Sequence, residues 1–345
     1  MSAPCCSSKS PEPSCCPAAS PEVRVLPPDW SCTDWWGMIS VRMGSCRMTY
    51  GMEPGLYAMG EPTPDSPVLV TANYKLTVDL LRRELGGRNL WILILDTANV
   101  NVWCAAGKGT FGTAELVQRI AATQLAERVV HRRLILPQLG APGVAAHEVR
   151  KQGGFEVVYG PVRAADLPAF LDDGEQATPA MRRVEFPLGD RLVLAPMELR
   201  HSLRPILLVA LALMFLPVIW HGLPDGLGDY GLRGVLATFV GWIGGCVLGP
   251  ALLPWLPGRA FRVKGAWLGV ALALLLALAG VARGAVPVLG CVLWFGAGVS
   301  FLLMNFTGCT TFTSLSGAKV EVKAVPAQIA GVVIGLLLWS ADWWM

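Results

Sequence analysis

The sequence predicts two structured parts, an α/β domain followed by an all-α transmembrane domain of five helices. Between residues 66 and 195, short apolar runs alternate with helical patterns, whereas after Pro205 the apolar residues are concentrated in five long segments. Alternating strands and helical crossovers are typical of a parallel, doubly wound sheet. We therefore divide the chain into a tail (1–35), an α/β domain (36–200) and a transmembrane domain (201–345).

The composition supports this division. Hydrophobic residues make up 53% of the 345 residues and charged residues only 15%, which is too apolar for a purely soluble protein. The net charge of +3 gives no electrostatic reason to expect nucleic-acid binding. The ten cysteines do not resemble a secreted disulfide framework, because the chain contains long apolar spans. We therefore expect a reducing compartment for the α/β domain.

The first 35 residues are rich in Ser, Pro and Cys and lack an apolar core segment. Such a composition cannot bury a core, so we expect a disordered tail. It contains two adjacent cysteine pairs, Cys5-Cys6 and Cys15-Cys16, and paired thiolates suit soft metal ions such as Hg(II). A metal-capturing role and a low-complexity tail with incidental cysteines are both open at this point.

The elements of the α/β domain follow from the apolar pattern and from its Gly and Pro breaks. The pattern predicts strands at 67–71, 90–95, 134–136 and 155–159. It predicts helices at 76–85, 114–127, 144–152 and 164–171, and a short helix around Cys104. The segments 183–186 and 191–195 resemble a closing hairpin around the turn residues 187–190.

In doubly wound sheets, ligands bind outside the carboxyl ends of the strands. Here those ends, at 71–74, 97–99, 137–140 and 159–161, carry small, polar or turn-forming residues, which would let a bulky planar ligand approach the backbone. The sequence has no Walker-type loop, no HExxH, no paired CxxC and no run of four cysteines. We therefore expect no ATP, zinc or iron–sulfur site.

The most informative segment is 101–108, with the sequence NVWCAAGK. It follows a buried strand and a short turn, and Asn99 or Asn101 can accept hydrogen bonds from the first amides of a short helix. Gly107 and Gly109 indicate where that helix stops. Cys104 lies in the first turn, where amide dipoles favour the thiolate and lower the cysteine pKa. A lone cysteine on an apolar helix is more often a packing residue, but this arrangement suits one soft ligand presented to a flat partner.

NVWCAAGK resembles the cap-helix motif of the corrinoid protein of the mercury-methylation pair, the HgcA family, and matches it at every position. The resemblance includes PGLYAMGEP at 54–62, SPVLVTANYKLTVD at 66–79 and NFTGCTTFTSLSG at 305–317, and runs from about Trp36 onward. This family is related to the large subunit of the corrinoid iron–sulfur protein. The resemblance implies a Rossmann-like corrinoid-binding domain with a cobalamin-type cofactor, in which Cys104 is the lower axial ligand of cobalt.

The resemblance also implies an activity. It points to a membrane-anchored, corrinoid-dependent methyltransferase that transfers a methyl group from cobalt to inorganic Hg(II), giving methylmercury. It implies a methyltetrahydrofolate-type methyl donor and, as electron donor, a ferredoxin-like protein with two [4Fe–4S] clusters. The cofactor carries the chemistry and the protein tunes its surroundings, so the Cys104 thiolate would favour departure of the methyl group to a soft acceptor.

The other motif residues receive supporting roles. Asn101 caps the helix and Trp103 packs behind the ligand. Lys108 stabilises the thiolate or contacts an amide side chain of the corrin. Ala105 and Ala106 keep the helix thin against the macrocycle.

Residues at the strand ends complete the candidate site. Asn73 and Tyr74 are candidates for the upper face of the corrin or for its nucleotide tail. The full set of candidate cofactor-binding residues is Thr71, Asn73, Tyr74, Thr97, Asn101, Val102, Trp103, Cys104, Ala105, Ala106, Gly107, Lys108, Gln138, Gly140 and Gly160.

Five apolar segments predict membrane-spanning helices, at about 205–220, 234–253, 266–281, 285–304 and 327–339. Basic residues precede the first segment and occupy alternate connections, as the positive-inside rule requires of cytoplasmic loops. We therefore expect a multi-pass protein of the cytoplasmic (inner) membrane, with the α/β domain in the cytoplasm and the C-terminus outside. The spans hold almost no ionisable residue, which favours an anchor over an ion-coupled transporter.

The connection 305–325 is polar and, by this topology, cytoplasmic. We expect it to dock the electron donor. Cys309 within it is a candidate for transient binding of Hg(II).

Two other functions are open. One is a corrinoid methyl carrier of one-carbon metabolism of the acetyl-CoA type, whose cap helix lacks the cysteine. The other is a non-enzymatic membrane metal-binding protein that uses the cysteine pairs and Cys309. A purified protein without cobalt or corrin absorbance would favour the metal-binding protein.

Overall fold

The computed structural model describes residues 23–310 and 315–343, which form two compact units. The α/β unit comprises the described residues up to 31 together with 50–182. The membrane unit comprises 32–49 and the described residues from 183 onward. The predicted boundaries after 35 and 200 therefore differ from the observed ones, and residues 23–35 are not an unstructured tail, since they contain a strand and the start of a helix. The cysteine pairs at 5–6 and 15–16 lie outside the described residues.

The α/β unit is built on a six-stranded sheet. Its strands are β1 (Arg24–Leu26), β2 (Gly55–Met59), β3 (Val68–Ala72), β4 (Leu90–Leu95), β5 (Arg133–Leu136) and β6 (Glu156–Tyr159). Their spatial order is β1-β2-β4-β3-β5-β6, and every neighbouring pair is parallel except β2 and β4. The prediction of a fully parallel sheet was therefore wrong at β2. The pattern missed β1 and β2 because β1 has only three residues and β2 is a single apolar run between glycines.

Helices connect the strands, and most lie within two residues of their predicted positions. They are α1 (Cys32–Arg42), which belongs to the membrane unit, α2 (Lys75–Glu84), α3 (Val102–Lys108), α4 (Thr113–Ala122), α5 (Leu125–Arg128), α6 (Ala146–Gly153) and α7 (Leu167–Asp172). The helix predicted at 114–127 is divided into α4 and α5. Gln124 between them has a left-handed backbone (φ 50°), which ends the first helix.

Both faces of the sheet are covered, and β4 shows how. All six of its residues are buried. Trp91, Leu93 and Leu95 belong to the apolar core on one face, which also holds the buried side of α3 and α4. Leu90, Ile92 and Ile94 belong to the core on the other face, with α2 and α7. Burial on both sides explains why a central strand is a continuous apolar run.

The predicted closing hairpin at 183–195 was wrong. Residues Leu188–Leu192 form a short helix, α8, which starts after Pro187. The buried guanidinium of Arg191 donates to the carbonyl oxygens of Pro250 (3.0 Å) and Ala251 (2.6 Å). This tertiary contact favours a helix where the local sequence resembles a turn.

The remaining helices belong to the membrane unit. They are α9 (Ala195–Phe215), α10 (Val218–His221), α11 (Leu232–Ile243), α12 (Gly249–Leu252), α13 (Phe261–Leu278), α14 (Ala285–Met304), α15 (Leu315–Val322) and α16 (Val325–Trp339). Together with short π-helical and 3₁₀ segments, they give, within residues 23–310 and 315–343, five helices long and apolar enough to cross a membrane. These are span 1 (Leu188–His221), span 2 (Gly226–Leu252), span 3 (Phe261–Leu278), span 4 (Ala285–Gly308) and span 5 (Gly317–Trp339). The predicted number of spans agrees with this count.

Two details of the membrane unit differ from the predictions. Span 1 begins at Leu188, well before residue 205, and it includes a buried carboxylate, Glu198. The expectation that the spans hold almost no ionisable residue is therefore not met in span 1. The connection 305–325 is not a polar loop, because it contains α15. The carboxylate of Glu321 in that helix accepts hydrogen bonds from the backbone N–H groups of Phe261 (2.9 Å) and Arg262 (3.1 Å).

Candidate functional site

The candidate site begins with α3, which we call the cap helix. Asn101 is its N-cap, and the Asn101 side-chain oxygen accepts from the backbone N–H of Cys104 at 3.1 Å. Gly109 ends the helix in a left-handed conformation (φ 84°) that favours glycine. The seven-residue helix is thus fixed at both ends by residue types that its sequence suggests, but it continues through Gly107, where the sequence also predicted a stop.

The two sides of the cap helix differ in exposure. Val102, Ala105 and Ala106 are buried in the core of the α/β unit. Cys104 and Trp103 are half-buried, while Gly107 and Lys108 are exposed. The thiol of Cys104 therefore does not belong to the packed face, in contrast to the usual packing role of a lone cysteine.

The loop from β4 to the cap helix is held by one buried side chain. Asn73 Oδ1 accepts from the backbone N–H groups of Thr97 (3.1 Å) and Asn99 (3.0 Å) and lies 2.8 Å from the Thr97 hydroxyl. Ala98 and Asn99 are both left-handed, with φ of 54° and 59°. Two consecutive non-glycine residues in this region are uncommon and persist only where surrounding contacts determine them.

Further contacts fix the same loop from two other directions. The backbone N–H of Asp96 donates to Glu115 Oε1 (2.9 Å), and this carboxylate also forms an ion pair with Arg119 (2.7 Å). On the other side, Gly51 approaches Asn99 so closely that a Cβ at Gly51 would overlap the Asn99 side chain. The position and direction of the cap helix are thus determined by residues distant in sequence.

A cavity of about 220 Å³ lies at the carboxyl ends of β3 and β5. Its lining includes four of the predicted cofactor-binding residues, namely Thr71 at the end of β3 and Asn101, Val102 and Trp103 at the start of the cap helix. A position at strand ends is where ligands bind in doubly wound sheets. Its other lining residues include Pro137, Leu139 and Pro161, which belong to the predicted strand ends 137–140 and 159–161. Leu80 and Arg163 also line it and were not predicted, because neither lies directly after a strand.

The other predicted strand-end residues do not line this cavity. Asn73 and Thr97 are buried beneath the cap-helix loop, and buried Tyr74 precedes α2 as its N-cap. Gln138 is hydrogen-bonded to Arg182. Gly140 packs against the Phe111 ring, and Gly160 packs near Ile135 and Phe170. These residues support the loops around the site rather than surrounding one pocket.

The segment from Gly107 to Gly112 has the spacing GxGxxG, which in dinucleotide-binding folds connects a strand to a helix. Here it ends the cap helix and begins α4. The structural context of a dinucleotide-binding turn is therefore not met at this position.

The described part of the site offers one candidate metal ligand, the thiol of Cys104, and a single ligand suits a metal ion that a macrocycle already holds. Among the described residues, no cluster of three or more His, Cys, Asp or Glu side chains could hold a metal ion by itself. Cys104 is a half-buried residue of a short helix whose two alanines, Ala105 and Ala106, face the core on the other side. A single thiol would hold a metal ion only if a macrocycle supplied its other ligands, so the residues present are compatible with a corrinoid.

Comparison with known proteins shows that the α/β unit is similar to subunits of CO dehydrogenase/acetyl-CoA synthase and acetyl-CoA decarbonylase/synthase complexes. Residues 45–171 match the family described as CO dehydrogenase/acetyl-CoA synthase delta subunit. The acetyl-CoA decarbonylase/synthase complex subunit gamma of Archaeoglobus fulgidus is 32% identical over 128 residues, which is 36% of this chain and 27% of the relative. The equivalent subunit of Methanopyrus kandleri is 32% identical over 123 residues, or 35% of this chain and 26% of the relative.

Residues 45–171 are related to these complex subunits. The range contains β2 to β6, Asn73 and the whole cap helix, so the relation covers the candidate site. The chain spans only about a quarter of the length of these relatives, and the five spans lie outside the matched range.

Proposed function

We propose that the α/β unit binds a cobalamin-type corrinoid and takes part in methyl transfer, with Cys104 as the lower axial ligand of cobalt. The observation that carries this proposal is the half-buried thiol of Cys104 on the cap helix, within the octapeptide NVWCAAGK. The relation of residues 45–171 to acetyl-CoA complex subunits supports the corrinoid and the methyl-transfer chemistry in general terms.

The bound corrinoid would supply the transferable methyl group, and the residues of the chain would control the ligand. Asn101 holds the backbone at Cys104, and Asn73 holds the loop that aims the cap helix. Ala105 and Ala106 keep the buried side of the helix small, and the exposed Gly107 leaves open space at its outer end. Lys108 is exposed beside them and is available to meet an amide or a phosphate of the cofactor.

We propose inorganic Hg(II) as the methyl acceptor and methylmercury as the product. A thiolate donates electron density more strongly than an oxygen or nitrogen ligand and thereby favours transfer to a soft, electron-poor acceptor. The five described cysteines, Cys32, Cys46, Cys104, Cys246 and Cys291, do not form a cluster of iron–sulfur ligands. We therefore propose a ferredoxin-like protein with two [4Fe–4S] clusters as electron donor, and a methyltetrahydrofolate-type molecule as methyl donor.

The five spans support a location in the membrane, and we propose the cytoplasmic (inner) membrane with the α/β unit inside and the C-terminus outside. The role of Cys309 in transient Hg(II) binding remains a prediction, because its side chain lies outside the described part of the structure. A non-enzymatic metal-binding function would depend on Cys309 and on the tail cysteines, which are likewise outside it.

A second candidate function is a corrinoid methyl carrier of acetyl-CoA-type metabolism. The comparisons favour it over mercury methylation, since the relatives are subunits of acetyl-CoA decarbonylase/synthase complexes. Cys104 and the membrane unit, whose spans lie outside the matched range 45–171, favour mercury methylation.

One experiment separates the candidates. The full chain is purified in detergent, its cobalt content and corrin absorbance are measured, and methyl transfer to Hg(II) is compared with methyl transfer to an acetyl-CoA synthase. Cys104→Ala should abolish methylmercury formation while the protein still inserts in the membrane. The matched control Cys46→Ala, at an exposed cysteine of the membrane unit, should retain the activity.

Transfer to the acetyl-CoA synthase alone would establish the methyl carrier. Protein without cobalt or corrin absorbance would reject both methyl-transfer functions. Wild-type methylmercury formation by Cys104→Ala would reject Cys104 as the ligand.

A further inference from the structure

The helix α1 presents apolar side chains to its surroundings on one face. Trp35 is 48% exposed, Trp36 is 68% exposed and Ile39 is 44% exposed. Ile39 is four residues from Trp35 and three from Trp36, and side chains at these spacings are neighbours on a helix. The three side chains therefore form one continuous surface, which we call the Trp face. An exposed surface of this kind indicates a binding partner.

The opposite face of α1 is already used. Asp34, Met38 and Val41 are buried, at the i, i+4, i+7 spacing of a packed helix face. The helix therefore has a fixed orientation within the membrane unit, and rotation about its axis cannot bury the Trp face without exposing the packed one.

The carboxyl end of α1 is attached to span 1. Gly44, in a left-handed conformation (φ 77°), ends the helix, and the Ser45 backbone N–H donates to the Ser40 carbonyl (2.9 Å). The guanidinium of Arg200 in span 1 donates to the Met43 carbonyl at 3.0 Å and also to the Ser45 hydroxyl. An arginine that caps the last carbonyls of a helix stabilises both the helix end and its position.

Arg200 also sets the depth of α1. Leu207 and Leu208 are seven and eight residues further along span 1, or roughly 10–12 Å at the rise of an α-helix. Leu208 is 69% exposed and lies in the apolar part of the span, where lipid would cover it. Arg200 lies five residues, or roughly 7.5 Å at the rise of an α-helix, before Pro205, where the uncharged run of span 1 begins. The headgroup region on each side of a bilayer is about 5–8 Å thick, so a hydrocarbon core that begins near Pro205 would put Arg200 and the attached end of α1 at headgroup depth.

We infer that α1 is an interfacial helix whose Trp face inserts into the headgroup region of the bilayer, at the end of span 1 that carries Arg200. Tryptophan is enriched at this depth because its ring is apolar and its N–H is polar. Arg47, whose guanidinium donates to Met197 Sδ at 3.2 Å, and Arg204 add positive charge at the same end of span 1, which suits anionic headgroups. The inference rests on the membrane spans and not on the proposed methyl transfer.

Collision accessibility of a nitroxide tests this inference on the full chain. Trp36, and in a second variant Ile39, is replaced by a ketone-bearing phenylalanine that is coupled to a nitroxide, which leaves all cysteines in place. The labelled protein is reconstituted in vesicles of phosphatidylethanolamine and phosphatidylglycerol. Accessibility to oxygen, which partitions into lipid, is compared with accessibility to a water-soluble nickel chelate.

Two reference positions calibrate the measurement. Leu208 should show high oxygen and low nickel accessibility, and Val130, an exposed apolar residue of the α/β unit, should show the reverse. Positions 36 and 39 should have oxygen-to-nickel ratios between these references and clearly above the ratio at 130. A ratio equal to that at 130 would place the Trp face in water, and low accessibility to both probes would place it against protein. Either result would overturn the inference, and a water-like signal at Leu208 would overturn it as well, because it would reject span 1.

Discussion

Asn73, which follows β3, accepts a hydrogen bond at 3.1 Å from the backbone N–H of Thr97, which follows the neighbouring strand β4. The same oxygen accepts from Asn99 at 3.0 Å, so one side chain ties together two adjacent strand ends. The loop that leads to Cys104 is therefore held in place by Asn73, a residue outside the octapeptide 101–108.

Replacement of this side chain should loosen the cap-helix loop. Asn73→Ala removes the oxygen that accepts from the buried Thr97 N–H and from the half-buried Asn99 N–H, at a cost of about 1–3 kcal/mol. Amide hydrogen exchange across residues 96–108 should accelerate by about tenfold for each 1.4 kcal/mol lost. The control Asn89→Ala removes an amide that accepts from the exposed backbone N–H of Glu61 and should leave exchange in this loop unchanged. Equal exchange in the two variants would show that Asn73 does not hold the loop.

The sequence predicted the cap helix well because its signals are local. Asn101 and Gly109 determine the two ends through their own backbone contacts, and the continuous apolar run of β4 indicates a strand buried on both faces. The supporting contacts were not predictable in this way. Asn73, Gly51 and Glu115 act on the loop from 19 to 48 residues away. Asn73 was predicted as a cofactor contact rather than as the support of this loop, and nothing in the local pattern distinguishes Gly51 and Glu115 from ordinary turn or surface residues.

The failed hairpin and the missed strand have the same kind of cause. The segment 187–190 has turn-forming residues, yet Arg191 makes contacts about 60 residues away that favour a helix. The antiparallel strand β2 is stabilised by pairing with β4, as in Tyr57 opposite Ile92, and has no periodicity of its own. Tertiary contacts can override local preference, and local sequence patterns do not predict such contacts.

A buried charge cluster should make a large contribution to the stability of the α/β unit. Asp79 is fully buried and accepts from Lys75 (2.8 Å), Arg82 (2.9 Å) and the Tyr50 hydroxyl (3.2 Å). Asp79→Ala would leave the buried Arg82 guanidinium without its carboxylate, and we expect a loss of about 3–5 kcal/mol. Thermal unfolding of the full chain, monitored in detergent, should show a clear drop in midpoint.

The matched control is an exposed carboxylate with a similar partner. Asp172 accepts two hydrogen bonds of 2.7 Å from Arg88, and this guanidinium lowers the pKa of Asp172. Because the pair is exposed to water, Asp172→Ala should have little effect on the midpoint. A comparable drop in both variants would mean that burial does not explain the contribution of Asp79.

Reporter fusions test the proposed membrane orientation. Asp225 lies between spans 1 and 2, and Lys264 lies in the first turn of span 3. If each span crosses the bilayer once, a reporter fused after Asp225 should lie outside the cell membrane, and a reporter fused after Lys264 should lie in the cytoplasm. The physical reason is that Arg259, Arg262 and Lys264 resist translocation. Reporters on the same side would require a different number of crossings between the two positions.

Gly107 provides a test in which stability and cofactor binding should respond in opposite directions. It is helical and exposed, and a Cβ added there would meet no atom within 4 Å. Gly107→Ala should therefore stabilise the cap helix by about 1 kcal/mol, seen as slower amide exchange across 102–108 in cofactor-free protein. If the open space exists for the close approach of a corrinoid, the same variant should bind the cofactor more weakly, measured by cobalt retained after gel filtration.

A variant at the neighbouring position, Lys108→Ala, is the control for this result. Lys108 is also exposed on the last turn of the helix, and Lys108→Ala changes charge without adding bulk near Gly107. Cobalt retention that falls in Gly107→Ala but not in Lys108→Ala would indicate steric contact with the macrocycle. A loss in both would point to the outer end of the helix in general. Full retention in Gly107→Ala, together with the expected stabilisation, would show that the cofactor does not approach this side of the cap helix.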